Sequence, residues 1–196
     1  MVRWVRELLE RLNDLKQIPR VGWLECAVPL DEAEDVAQHI FETTSITLLL
    51  LDELGREIKK LDRERALSMA VIHDWAEALI GDFSYTIQKW MGPGNKERME
   101  REAFRDMVSC LPRKEEYLRL WGEYNEKRTS EARLVRVADY LSLMVQAIKY
   151  RERGNRSKGL DELWKAVHDD LEPYVDEFPP VKKLIKELDE SYRGIT

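Results

Sequence analysis

Along almost the whole chain, apolar residues recur every three to four positions, the spacing that places them on one face of an α-helix. Trp4, Val5, Leu8, Leu9, Leu12 and Leu15 predict an opening helix over residues 2 to 15. Lys16 to Trp23, with Pro19 and Gly22, predicts a loop. A long helical pattern then runs from Asp31 to Leu54 through Val36, Ala37, Ile40, Ile46 and Leu50. The next helix starts at Asp62, a suitable cap, and continues through Leu67, Ala70 and Val71 towards Gly81, a suitable terminator. Phe83 to Asn95, carrying Met91-Gly92-Pro93-Gly94, predicts a loop long enough to act as a lid. Asn95 is placed to cap a helix bearing Met99, Ala103, Met107 and Leu111, stopped by Pro112. Three more stripes follow: Tyr117 to Tyr124, Thr129 to Tyr150, and Leu160 to Leu171. A last one, Val181 to Leu188, stands behind Pro179-Pro180. No alternation of useful length, internal repeat or low-complexity linker interrupts them, so the fold class expected is all-α.

Length and charge narrow the partners. A chain of 196 residues suits one domain with a substantial core. A net charge of −6 with 36% charged residues argues against a general nucleic-acid or anionic-membrane binder, while a few local cations still suffice for a small anionic substrate. Cys26 and Cys110 fit neither a zinc nor a redox spacing. No signal peptide is recognised, and the longest aliphatic run, Leu48 to Leu51, is too short for a bilayer, so a cytoplasmic protein is expected.

The chemistry gathers in His73-Asp74-Trp75-Ala76-Glu77-Ala78-Leu79-Ile80-Gly81-Asp82. On a continuous helix His73, Asp74 and Glu77 share a face, and Asp82 follows just past its end. Charged groups in an apolar helix are expensive to desolvate unless paired or bound to a metal. From this pattern alone, metal or acid–base chemistry and a structural polar network both stay open. The same spelling returns at His168-Asp169-Asp170-Leu171-Glu172, where Pro173 stops the helix and a solvated end is expected. His39 inside its helix reads as a core histidine or a ligand. Arg20, between Pro19 and Gly22, reads as a surface arginine or a phosphate-binding one. Asp139 sits at the edge of the Thr129 to Tyr150 stripe, a charge set against the core.

Taken together, Pro19-Arg20, Val36-Ala37-Gln38-His39, the His73 to Asp82 motif, and Asp139 after Ser130-Glu131-Ala132 resemble the HD-domain metal-dependent phosphohydrolases. The likeness is strongest to their 5′-deoxynucleotidase branch. It covers roughly residues 1 to 150 and leaves His168 outside. The resemblance implies a single HD domain over residues 1–196, with the metal site in 1–150 and the helices of 151–196 packed on it. It further implies that His39, His73, Asp74 and Asp139 hold one divalent cation (Co, Mn, Mg, Zn or Ni). Glu77 and Asp82 would then handle proton transfers, with base and acid not distinguished, and Arg20 would bind the phosphate. The implied substrate is a deoxyribonucleoside 5′-monophosphate and the implied assembly a homodimer, and the C-terminal helices with Trp164 and Tyr174 either cover the core or form the dimer face. Val21 stands where bacterial members carry a Trp that helps reject ribose, with Trp23 two positions on. Two other expectations compete: an HD-domain phosphohydrolase for a cyclic nucleotide, alarmone or triphosphate, and a non-catalytic helical protein with a structural metal.

Overall fold

A computed structural model describes residues 3–55 and 61–195. Residue 2, where the opening helix was expected to start, lies outside them. Among the described residues the regular structure is helical, apart from an isolated bridge between Pro19 and Asp35. The helices are α1 (Arg3–Asp14), α2 (Val21–Glu25), α3 (Val36–Leu54), α4 (Arg63–Ile72), α5 (Glu77–Ile80), α6 (Tyr85–Met91), α7 (Asn95–Met107), α8 (Lys114–Asn125), α9 (Ser130–Glu152), α10 (Lys158–Leu171) and α11 (Pro179–Gly194).

The centre is a triangle of α3, α4 and α9, each packed on the other two. α3 starts where Asp35 and Gln38 form a reciprocal capping box, which settles its first turn after the Pro29-rich approach. It then buries Val36, His39, Thr43, Thr47, Leu50 and Leu54 along one stripe. The buried threonine Thr47 satisfies its hydroxyl on the Thr43 carbonyl, at 2.8 Å, so the polar stripe carries little desolvation penalty. α4 is capped by the Asp62 carboxylate, which accepts the Arg65 N–H, as the sequence predicted. α9 is capped by Thr129 and buries Val135, Ala138, Leu141 and Ser142 towards α3.

α8, α10 and α11 close the rest of α9. Trp164 and Tyr174, expected either to cover the core or to form a dimer face, are buried and cover the core, with Trp164 stacked on Tyr192 at 3.8 Å. His168 is no solvated helix end either. Its Nε2 lies 2.8 Å from Asp189 Oδ1, which also accepts the Trp164 indole N–H, so this second His-Asp spelling ties α10 to α11. α10 approaches the end of α2 so closely that a Cβ on Gly159 would lie 2.7 Å from the Glu25 carbonyl oxygen.

Two predicted loops hold helices. Trp23 belongs to α2 and is buried, its indole donating to Glu34 Oε2 at 2.9 Å. The Phe83 to Asn95 stretch contains α6, capped by the Ser84 hydroxyl. Helices of five and seven residues are too short to establish a periodicity, and their flanking Gly and Pro dominate the local signal. Asn95 is the first residue of α7, not its cap; Gly94 caps it in a left-handed conformation, and the Asn95 amide donates to the Met91 carbonyl.

Candidate functional site

The predicted helix through the His73 motif is broken. α4 ends at Ile72, and Trp75, Glu77, Ala78 and Leu79 bond three residues back rather than four before the chain finishes in the single turn of α5. Tightening to three residues per turn keeps residues three apart on one edge, so His73, Asp74 and Glu77 still converge on one pocket. Gly81 ends α5 with φ +79° and ψ 170°, a backbone region open essentially to glycine, and this turn brings Asp82 back towards Arg20.

The seven residues that the resemblance singled out meet here, from four segments of the chain. His73 Nε2 lies 3.3 Å from His39 Nε2 and 3.2 Å from Asp74 Oδ2. His39 Nε2 lies 3.5 Å from Asp74 Oδ2 and 3.1 Å from Asp139 Oδ1. Arg20 reaches over this cluster, with one guanidinium nitrogen 3.1 Å from Asp74, 3.6 Å from Glu77 and 3.4 Å from Asp82. The backbone N–H of Val21 donates to Asp82 Oδ2 at 2.6 Å, so the start of α2 fixes that carboxylate.

The outer hydrogen bonds assign the imidazole tautomers. His73 Nδ1 faces the Ala70 carbonyl at 2.7 Å, and a carbonyl only accepts, so Nδ1 carries the proton. Ser142 donates its hydroxyl proton to the Asp139 carbonyl and accepts from His39 Nδ1 at 3.1 Å. Both Nε2 atoms are therefore left as lone pairs, facing each other and two carboxylates. Such a set is mutually repulsive unless a positive charge sits within it, and neutral imidazole Nε2 with carboxylate oxygen is a donor set for a divalent cation. The ligand-capable atoms of His39, His73 and Asp74 lie within 4.8 Å of one another, so the residues fit a metal ion. Asp139 joins through His39; its other oxygen accepts from the Tyr124 hydroxyl at 3.0 Å and from Arg136 at 2.9 Å.

The same demand for positive charge moves the titrations. Burial lowers the His73 pKa, but Asp74, Asp139 and the Ala70 carbonyl raise it by more. Burial raises Asp74 and Asp139, yet His73 and Arg20 for the first, and His39 and Arg136 for the second, hold both below the usual carboxylate range. Glu77 moves the other way. Burial, then the charge of Asp74, pushes it well up, against the pull of Arg20. Its Oε2 is buried without a hydrogen-bond partner, an acceptor left open beside the cluster.

Tyr124, Arg136, Ser142 and Trp121, whose indole donates to the His73 carbonyl at 3.2 Å, were not identified in the sequence. Arg136 carried a usable signal, standing three residues before Asp139 on the same helix. Ser142, three residues after Asp139, carried the same signal, while Tyr124 and Trp121 come from α8, whose approach no local pattern specifies.

A family model described as HD domain matches residues 12–178. The chain is 31% identical over 160 residues to a 5′-deoxynucleotidase of Schizosaccharomyces pombe, spanning 79% of this chain and 76% of that one. Against a 5′-deoxynucleotidase of Xenopus laevis it is 28% identical over 163 residues, 82% of this chain and 76% of that one. Among solved structures, a conserved hypothetical protein from Pyrococcus furiosus superposes with a TM-score of 0.80 at 37% identity, over 93% of this chain and 98% of that one.

Proposed function

The chain belongs to the HD-domain family, and from that premise we propose that it is a metal-dependent phosphohydrolase releasing phosphate from deoxyribonucleoside 5′-monophosphates. The observation that carries the reading is the pair of Nε2 atoms on His39 and His73, 3.3 Å apart and facing carboxylate oxygens beside the open acceptor of Glu77. His39, His73, Asp74 and Asp139 would hold one divalent cation, its identity among Co, Mn, Mg, Zn and Ni being set by supply as much as by ligand chemistry. When bound, the cation supplies Lewis-acid polarisation of the phosphate and acidifies water.

The remaining groups divide the work by their surroundings. Glu77 is the general base, because its Oε2 is buried beside the cluster without a partner and is free to take a proton from the attacking water. Asp82, steadied by Val21 N–H and Arg20, would pass on to the departing 5′ oxygen the proton that Glu77 takes from water, so the nucleoside leaves as an alcohol. Arg20 exchanges part of its carboxylate contact for the non-bridging phosphate oxygens, where charge redistributes in the transition state.

Two further parts of the reading concern the whole protein. A homodimer is supported by an exposed apolar strip on α3, Phe41 and Leu49, and light scattering on the purified protein tests it. A cytoplasmic location is consistent with the nucleotide substrate; among the described residues no helix is long and apolar enough to cross a membrane. Phosphate release from deoxy- and ribonucleoside 5′-monophosphates, by chelator-stripped protein with each metal added back, tests the activity. Release from the deoxynucleotides, lost in Asp74→Asn, is the expected result. No release with any metal overturns the assignment, and release only from triphosphates or cyclic nucleotides moves the enzyme to another substrate class.

A further inference from the structure

We propose that Lys96 is a second phosphate-binding cation of this site, parked on Glu100 and transferred to the phosphomonoester when substrate enters. The inference rests on the phosphohydrolase reading above. A phosphomonoester dianion entering this pocket meets the carboxylates of Asp74, Glu77, Asp82 and Asp139, and Arg20 can give it only part of its charge. Arg20 is shared among three of those carboxylates. Arg136 is pinned by Asp139 at 2.9 Å and by its guanidinium lying 4.3 Å from the Tyr124 ring centre.

Lys96 is placed differently. α7 packs against α5, the turn that opens with Glu77, and Lys96 lies in the first turn of α7. Gly92 and Gly94, with φ of +79° and +74°, turn the chain into that helix. The charge of the Lys96 ammonium reaches Glu77 across this packing. Its partner Glu100, 3.2 Å away and one turn on, is 15% exposed and feels the charges of both Asp74 and Arg136. The pair therefore borders the catalytic cluster, while Lys96 itself, 32% exposed, keeps room to swing on its flexible stem.

Helix stability does not account for this arrangement. A lysine in the first turn opposes the helix dipole, and Lys preceding Glu by four residues is the weaker order for such a pair. A weak, half-buried ion pair is one a phosphate can displace. Glu100 then acts as the internal anion that holds Lys96 in place between turnovers, with its own charge balanced by Arg136 when Lys96 leaves.

The test is binding of inorganic phosphate to metal-loaded protein by calorimetry, alongside steady-state kinetics on a deoxynucleoside monophosphate, for wild type, Lys96→Met, Lys96→Arg and Glu100→Gln. Lys96→Met is expected to weaken phosphate binding about tenfold, the size of one charge-assisted contact, and to raise KM more than it lowers kcat, with metal content and Tm unchanged. Lys96→Arg should recover most of the loss, and Glu100→Gln should bind phosphate at least as tightly as wild type. Phosphate affinity and KM within twofold of wild type in Lys96→Met overturn the proposal. So does a loss in Lys96→Met that Lys96→Arg leaves unrepaired, because the role would then not be the charge. Should wild type bind phosphate through Lys96 yet hydrolyse no nucleotide, the nucleotidase reading falls and the phosphate site stands.

Discussion

A carboxylate's surroundings decide what it does, and Glu77 and Asp82 are treated oppositely within six residues of chain. Glu77 is buried with one oxygen unpartnered and its pKa driven up; Asp82 is held by a backbone N–H and by Arg20. Glu77→Gln should therefore lower kcat by about two to four orders of magnitude while metal content, read by elemental analysis, stays at the wild-type level. Arg20→Ala removes a phosphate partner and leaves Asp74, Glu77 and Asp82 facing one another, so KM should rise and kcat/KM fall, by about 2 kcal/mol or more of lost stabilisation in the kinetic comparison. Away from the site, burial and then Glu34 push Glu42 from 4.5 to about 7. A carboxyl raised in the folded state contributes full stability below its ordinary value and loses it as pH climbs through the raised one. Glu42→Gln should thus raise Tm near pH 8 and change it little near pH 4, which a pair of thermal scans checks.

At the level of elements, the site depends on how helices end. The break after Ile72, the α5 turn and the glycine conformation at Gly81 carry Glu77 and Asp82 to the same guanidinium nitrogen of Arg20. Nothing lies within 4 Å of an added Cβ at Gly81, so Gly81→Ala strains backbone alone. A destabilisation of about 1–3 kcal/mol is expected, with a loss of turnover larger than the stability change explains, because Asp82 moves with the turn. Denaturant unfolding and kinetics on the same preparation separate the two. Gly159 makes the complementary point: its φ is ordinary, but α10 lies against the Glu25 carbonyl, so Gly159→Ala should lower Tm by separating α10 from α2 without touching the metal ligands.

For the whole molecule, folding and the site share one centre. His39 and Asp139 stand on α3 and α9, two sides of the central triangle, and their Nε2 and carboxylate lone pairs face inward. A cation that binds this set only in the folded state must stabilise the fold by linkage. Chelation should lower Tm by several degrees and re-addition of a divalent ion should restore it; Asp74→Asn should blunt that response. An unchanged Tm on stripping would mean that the donor set is held together by the helices alone. α10 and α11 seal α9 with Leu160, Val167, Leu171, Phe178 and Val181, all buried, so a chain ending before Ser157 should lose cooperative unfolding rather than shed an independent unit.

What the sequence determined by itself was the helical class and most core stripes, and its resemblance to the HD-domain phosphohydrolases singled out the seven residues that converge. Helical periodicity is written locally, and polar residues in apolar stripes at positions 39, 73, 74, 77 and 139 stand out against it. Caps such as Asp62 and the terminator Gly81 were legible for the same reason, since a cap acts within four residues. The break in the central helix, the short helices α2 and α6, and the His168–Asp189 tie were decided only by tertiary structure. So were the tautomers, which Ala70 and Ser142 assign, and the clamp of Tyr124 and Arg136 on Asp139. Each of these depends on groups brought together across a helix junction or from distant segments, and no local preference encodes which lone pair will face which.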